Sequence, residues 1–130
     1  MTDDASTPPS EDWRQSRPYL EGIRLFNARH FWEAHEAWEE LWLECDGVPS
    51  EFLQGLIQSA AALLKYREDR RDPAQALYRS AMQRLSGCPE TYQGLRVREF
   101  EECMARCFQP ILEGPYRPIR EEEIPVLRLE

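Results

Sequence analysis

Residues 31–42 read FWEAHEAWEELW, with three Trp, one Phe, one His and four Glu in twelve positions. Placed on a helical wheel at about 100° per residue, Phe31, Ala34, Trp38, Leu41, Trp42 and Cys45 share one apolar sector. His35 stands at its margin beside Trp42 and Phe31; Glu39 and Trp32 follow towards the polar side, then Glu36. Glu33, Ala37, Glu40 and Glu44 face away. The stretch therefore predicts an amphipathic helix over 31–44, half of it core stripe, with His35, Glu39, Trp32 and Glu36 forming a polar and aromatic border.

Similar periodicity recurs on both sides. Tyr19, Ile23 and Phe26, with Leu20 alongside, predict a helix opening near Pro18 and stopping at Asn27. After Asp46-Gly47 and Pro49, Ser50 is the expected cap of a third helix over 51–68, carried by Leu53, Leu56, Ile57, Ala60, Ala61 and Leu64. Its small residues, Gly55, Ser59, Ala60, Ala61 and Ala62, allow a neighbouring helix to approach closely. A fourth helix is expected over 74–85, with Asp72 as cap, Pro73 at its first position, and Ala76, Leu77, Ala81, Met82 and Leu85 inward. A fifth is expected within 92–109, with Val97, Phe100, Met104 and Phe108 inward. Five helices, short loops and no alternating strand pattern predict an all-α, single-domain bundle. No 34-residue repeat supports a helical-hairpin solenoid.

The ends read differently. Residues 1–15, rich in Ser, Thr, Pro and Asp, are expected to be a disordered tail, and residues 16–112 the bundle domain. Residues 113–130, too Pro-rich for helix, are expected to lie extended along it, with Ile124, Val126, Leu127 and Leu129 as anchors.

A net charge of −8 and a pI of about 4.9 argue against a nucleic-acid partner, which needs a basic field. No run approaches the ~20 apolar residues that span a bilayer, and the acidic start MTDDASTPPSEDW lacks the apolar segment of a secretory signal. Cys45, Cys88, Cys103 and Cys107 form no CxxC motif, so a cytoplasmic location with reduced, partly buried thiols is expected.

Helix three offers a second border, Gln54, Gln58, Ala61 and Lys65, and antiparallel packing on helix two would bring both borders to one groove. There, Trp32, His35, Glu39, Gln54 and Gln58 are the candidate binding residues. His35 and Glu39, at i and i+4, can share a metal ion or an ion pair. His35, Glu36 and Glu39 are the catalytic candidates, with Glu36 or Glu39 as general base. The pattern is not HExxH, because Glu39 stands where the second His belongs, and neither His30 nor His35 has a Glu three residues before it. A ligand- or partner-binding module is the leading expectation. A metal-assisted hydrolase, with His35 and Glu39 as ligands and Glu36 as base, is the alternative. No cofactor is required by the sequence; a divalent metal, a small ligand, a protein partner and a homo-oligomer all stay open.

LFNARHFWEAHEAWEELW followed by FLQGLIQSAAALLKYRE resembles domain-of-unknown-function family 309 of bacteria and archaea. Its pattern, F-N-x-x-x-[FY]-[FWY]-E-A-H-E-x-x-E-x-x-W, is met by Phe26, Asn27, Phe31, Trp32, Glu33, Ala34, His35, Glu36, Glu39 and Trp42. A second block, L-Q-G-L-I-Q-x-A-A-A, is met from Leu53 to Ala62, and the resemblance extends well over residues 18–86. It implies an all-helical bundle and no established activity, with the H-x-x-x-E-x-x-W segment as the natural candidate site. Family members often carry Gly where this chain has Ala28 or Arg29, and His where Lys65 stands. Were that His a metal ligand, Lys65 would weaken a metal site here.

Overall fold

A computed structural model describes residues 12–130. Its helices are α1 (Arg17–Asn27), α2 (Phe31–Trp42), α3 (Gly47–Arg67), α4 (Arg71–Ser86) and α5 (Val97–Leu112). The protein is an all-α bundle in which α1 packs on α2, α2 on α3, α3 on α4 and α4 on α5. At one end of the α2–α3 pair, Trp42 Nε1 donates to Ser50 Oγ at 3.0 Å. At the other, the Arg67 guanidinium lies 5.0 Å from the centre of the Phe31 ring. The two helices are therefore antiparallel, as the short link between them requires.

The inward stripes match the periodicity in most places. Tyr19, Ile23 and Phe26 of α1, Phe31, Ala34, Trp38 and Leu41 of α2, and Val97, Phe100, Met104 and Phe108 of α5 are buried. On α4, however, Ala76 is exposed and Tyr78 takes the inward position, its ring stacked 4.8 Å from Phe108. Two glycines permit close helix contacts. A Cβ at Gly22 would sit 2.1 Å from Trp38 Nε1, and one at Gly55 would sit 2.6 Å from a Leu85 methyl.

Three helix starts differ from expectation. Helix α3 begins at Gly47 and α4 at Arg71, so Ser50 and Asp72 lie inside helices rather than capping them. Pro49 and Pro73 both fall in the first turn, where a backbone N–H has no intrahelical partner and its loss costs nothing. Helix α5 starts only at Val97, because Thr91–Tyr92 and Leu95–Arg96 pair as a two-stranded antiparallel ribbon, β1 and β2. Gln93 and Gly94, with φ of 49° and 77°, make its two-residue turn, which needs left-handed backbone at both positions. Helix α5 also runs through Pro110 to Leu112. Pro110 has no N–H to give the Arg106 carbonyl, and Arg106 is exposed.

Both flanking segments join the core. Of the expected tail of residues 1–15, residues 1–11 lie outside the described residues, and Trp13 packs into the core. Trp13 is only 5% exposed and meets Tyr19 edge-on at 4.8 Å, while its amide donates to Gln93 Oε1 at 2.9 Å. The Tyr19 hydroxyl donates to the Gln93 carbonyl at 2.9 Å, and burial raises its pKa above the ordinary tyrosine value. At the other end, Ile124 and Leu127 are buried, whereas the expected anchor Val126 is 45% exposed. Leu129 instead bridges to Leu95, extending the ribbon edge. A short 3-10 turn, Glu121–Glu123, interrupts the segment.

Asn27 and Arg29 hold this segment from the α1–α2 turn. Asn27 Nδ2 donates to the Leu127 carbonyl at 2.9 Å, and the Leu127 amide donates to Asn27 Oδ1 at 2.8 Å. Arg29, not Ala28, takes the positive φ of 70°, where glycine is cheaper. Its guanidinium donates to the carbonyl of Pro125 at 3.4 Å and lies 3.9 Å from a Glu121 carboxylate oxygen, contacts a glycine lacks.

All four thiols are free. Burial pushes Cys107 up to about 12 and Cys45 to about 11 from an ordinary value of 9.0. Above pH 9 the unfolded chain releases the Cys107 proton while the native state keeps it, so stability present below pH 9 is lost as pH rises towards 12. For Cys107 alone the expected loss by pH 10 is about 1 kcal/mol. Urea melts at pH 8 and pH 10 check this, and Cys107→Ala should flatten the dependence.

Candidate functional site

The faces of α2 and α3 that flank their contact open into a groove of about 240 Å³, closed on its far side by Leu77 of α4. Its floor is apolar, built from Phe31 of α2, Leu77 of α4, and Ile57, Ala61 and Leu64, which follow at about one-turn intervals along α3. Around the floor stand Trp32, His35, Gln54, Gln58 and Lys65. Positions 54, 58, 61 and 65 of α3 follow i, i+4, i+7 and i+11, which keeps them on one helix face.

Trp32 is 56% exposed, an unusual state for an indole, and its ring meets His35 at 5.1 Å with an interplanar angle of 62°. His35 Nε2 lies 3.9 Å from Glu39 Oε2, beyond hydrogen-bond reach, so their contact is a loose ion pair when the imidazole is protonated. Gln58 Oε1 accepts from Ser80 Oγ at 2.8 Å and from Arg84 Nε at 3.2 Å. Arg84 is itself held by Glu51 at 3.0 Å. Lys65 Nζ lies 3.5 Å from Glu68.

Of the five binding candidates, the groove brings together Trp32, His35, Gln54 and Gln58; Glu39 stands beside it through His35 but does not line it. Glu36 is exposed and outside the groove, so it is not positioned to act as a base on anything held there. For a metal, His35 and Glu39 offer two ligands. Among the described residues, no three His, Cys, Asp or Glu side chains gather closely enough to share an ion. Leu77 and the Ser80–Arg84 support of Gln58 come from α4, which a wheel of α2 and α3 does not include. The four-residue spacing of Leu77, Ala81 and Leu85 is the signal that α4 presents one stripe to α3.

Fold and site thus define a small all-α bundle with an open, apolar-floored groove on its α2–α3 face. The chain belongs to the family described as "Domain of unknown function (DUF309)", which matches residues 19–85, a little over half of its length. That span contains all of α1 to α4 except the first two residues of α1 and Ser86, and with them the whole groove. Over 87 residues, 66% of the chain, it is 26% identical to an "Uncharacterized protein" of Aquifex aeolicus (strain VF5). The matched part is 26% of that relative's length, so the chain spans about a quarter of it. No helix among the described residues is long and apolar enough to cross a membrane.

Proposed function

We propose that the protein is a small-molecule-binding module whose α2–α3 groove receives the apolar body of its ligand. The observation that carries this reading is Trp32, an indole held open to solvent at the rim of an apolar floor. Burying such surface against a ligand contributes about 25 cal/mol per Å². The volume of about 240 Å³ lies below the usual 300–1,000 Å³ of drug-sized sites, which suits a ligand of one ring and a short chain. His35 serves this role by position, and its contact with Glu39 adds little stability. Their pair is half-exposed and long, so His35→Ala and Glu39→Gln should each cost less than about 1 kcal/mol; losses of about 2 kcal/mol or more would make the pair structural.

The test of binding is an NMR titration with neutral 4-phenylbutan-1-ol. Shifts confined to the Trp32 indole N–H and the amides of His35, Gln54 and Ala61 are expected, and Ala61→Phe, which fills the floor, should abolish them. Shifts that are absent, or that persist unchanged in Ala61→Phe, would overturn the reading.

A further inference from the structure

We infer that the groove selects a ligand whose head group only accepts hydrogen bonds and carries negative charge, a carboxylate on a short apolar body. This rests on the reading of the groove as a small-molecule site and specifies its chemistry.

The polarity of the groove follows from the far side of Gln58. Arg84 can only donate, so the Gln58 oxygen must face it, and Ser80 donates to the same atom. The amide of Gln58 is thereby fixed in orientation: its oxygen is occupied at α4, and its NH2 is the end left without a partner among the described residues. A glutamine amide can usually turn either face to a ligand. This one cannot, because turning it would set NH2 against a guanidinium.

Lys65 adds to the same polarity. It is the chain's one lysine, and Glu68 takes only one side of its three-donor ammonium. The Gln54 side chain makes no hydrogen bond among the described residues and can offer its NH2 as well. No carboxylate lines the groove; Glu39 and Glu68 lie outside it, against His35 and Lys65. The lining therefore presents the fixed Gln58 amide and one ammonium above an apolar floor, beside Gln54 and His35, which can either donate or accept, in a protein whose net charge of −8 would otherwise repel an anion. A carboxylate can accept from the Gln58 NH2 or from the Lys65 ammonium, both of which line the groove. A primary amine would meet both with like polarity.

Three probes with the same body and different heads test this: 4-phenylbutyrate, 4-phenylbutanamide and 4-phenylbutylamine, titrated while the Trp32 indole N–H is followed. The carboxylate should bind at least tenfold more tightly than the amine and severalfold more tightly than the amide. Lys65→Met should bring the carboxylate down to the amide's affinity. Gln58→Glu retains an oxygen for Ser80 and Arg84 but replaces the unpartnered NH2 with an acceptor, so the order should reverse in favour of the amine. The same spectra report whether each variant is folded; if Gln58→Glu does not fold, the Lys65→Met comparison decides. Equal binding of all three heads, or an unchanged order in the folded variants, overturns the carboxylate assignment and leaves the groove as a binding site. If none of the three, nor the neutral alcohol, moves the Trp32 signal, both fall.

Discussion

Gly22→Ala is expected to destabilise the protein by about 3 kcal/mol or more, at the upper end of what overpacking a core costs. The added methyl would lie 2.1 Å from Trp38 Nε1 and 2.4 Å from Cδ1, well inside van der Waals contact. Neither side can yield cheaply. The Trp38 ring is 0% exposed, lies 6.0 Å from Phe26, and donates through Nε1 to the Tyr19 carbonyl at 3.2 Å. Moving it would break that bond and disturb the packing at the α1–α2 crossing. Chemical denaturation of Gly22→Ala, Trp38→Leu and the double variant separates the terms. Trp38→Leu alone should also be costly, but the double variant should be less unstable than the sum, with a coupling above 1 kcal/mol. Additive losses would mean that the helices move apart without meeting resistance from the indole.

The second large effect is expected at Asn27. Asn27→Ala removes both hydrogen bonds that tie the chain at Leu127 and leaves the Leu127 N–H and C=O without their partners. With Leu127 2% exposed, the penalty is that of two partly buried backbone groups, about 2–3 kcal/mol. Loss should be local as well as global. Hydrogen exchange should quicken at Leu127 and at Glu130, whose amide donates to the Gly94 carbonyl at 2.8 Å, before it quickens in α3. Unchanged exchange there would show that Ile124 and Leu127 hold the segment by burial alone. Asn27→Asp keeps the acceptor for the Leu127 amide but loses the donor to its carbonyl, so it should fall between the two.

Asn27 is also a residue whose part in the fold was not legible beforehand. On the sequence it stops a helix; in the structure it does that and also receives a segment 100 positions away. The same holds for Arg29. Its left-handed backbone explains why a glycine suits that turn, and its contacts with Glu121 and Pro125 account for an arginine in its place. Gln93 read as part of a helix because Val97 and Phe100 set a 3.6-residue rhythm. The Gln93-Gly94 pair between Tyr92 and Leu95 carried the competing hairpin signal.

At the candidate site, periodicity alone found four of the five groove-edge side chains expected to meet, because Trp32 and His35 on α2 and Gln54 and Gln58 on α3 repeat at helical spacing. It also placed Lys65 on that border. It misplaced Glu39 and Glu36, since a wheel gives an angle and not the distance at which a neighbouring helix ends. The third wall, Leu77, and the lock on the Gln58 amide depend on α4 and could not be read from α2 and α3.

By itself the sequence determined five helices, their order and most of their buried faces, because burial on a helix follows a local period that neighbouring residues reveal. The tertiary structure alone decided which glycine meets which indole, where Trp13 and the C-terminal segment dock, and which α4 side chains hold the Gln58 oxygen. Those depend on contacts between residues tens of positions apart, whose distances are set by packing in three dimensions and leave no periodic trace along the chain.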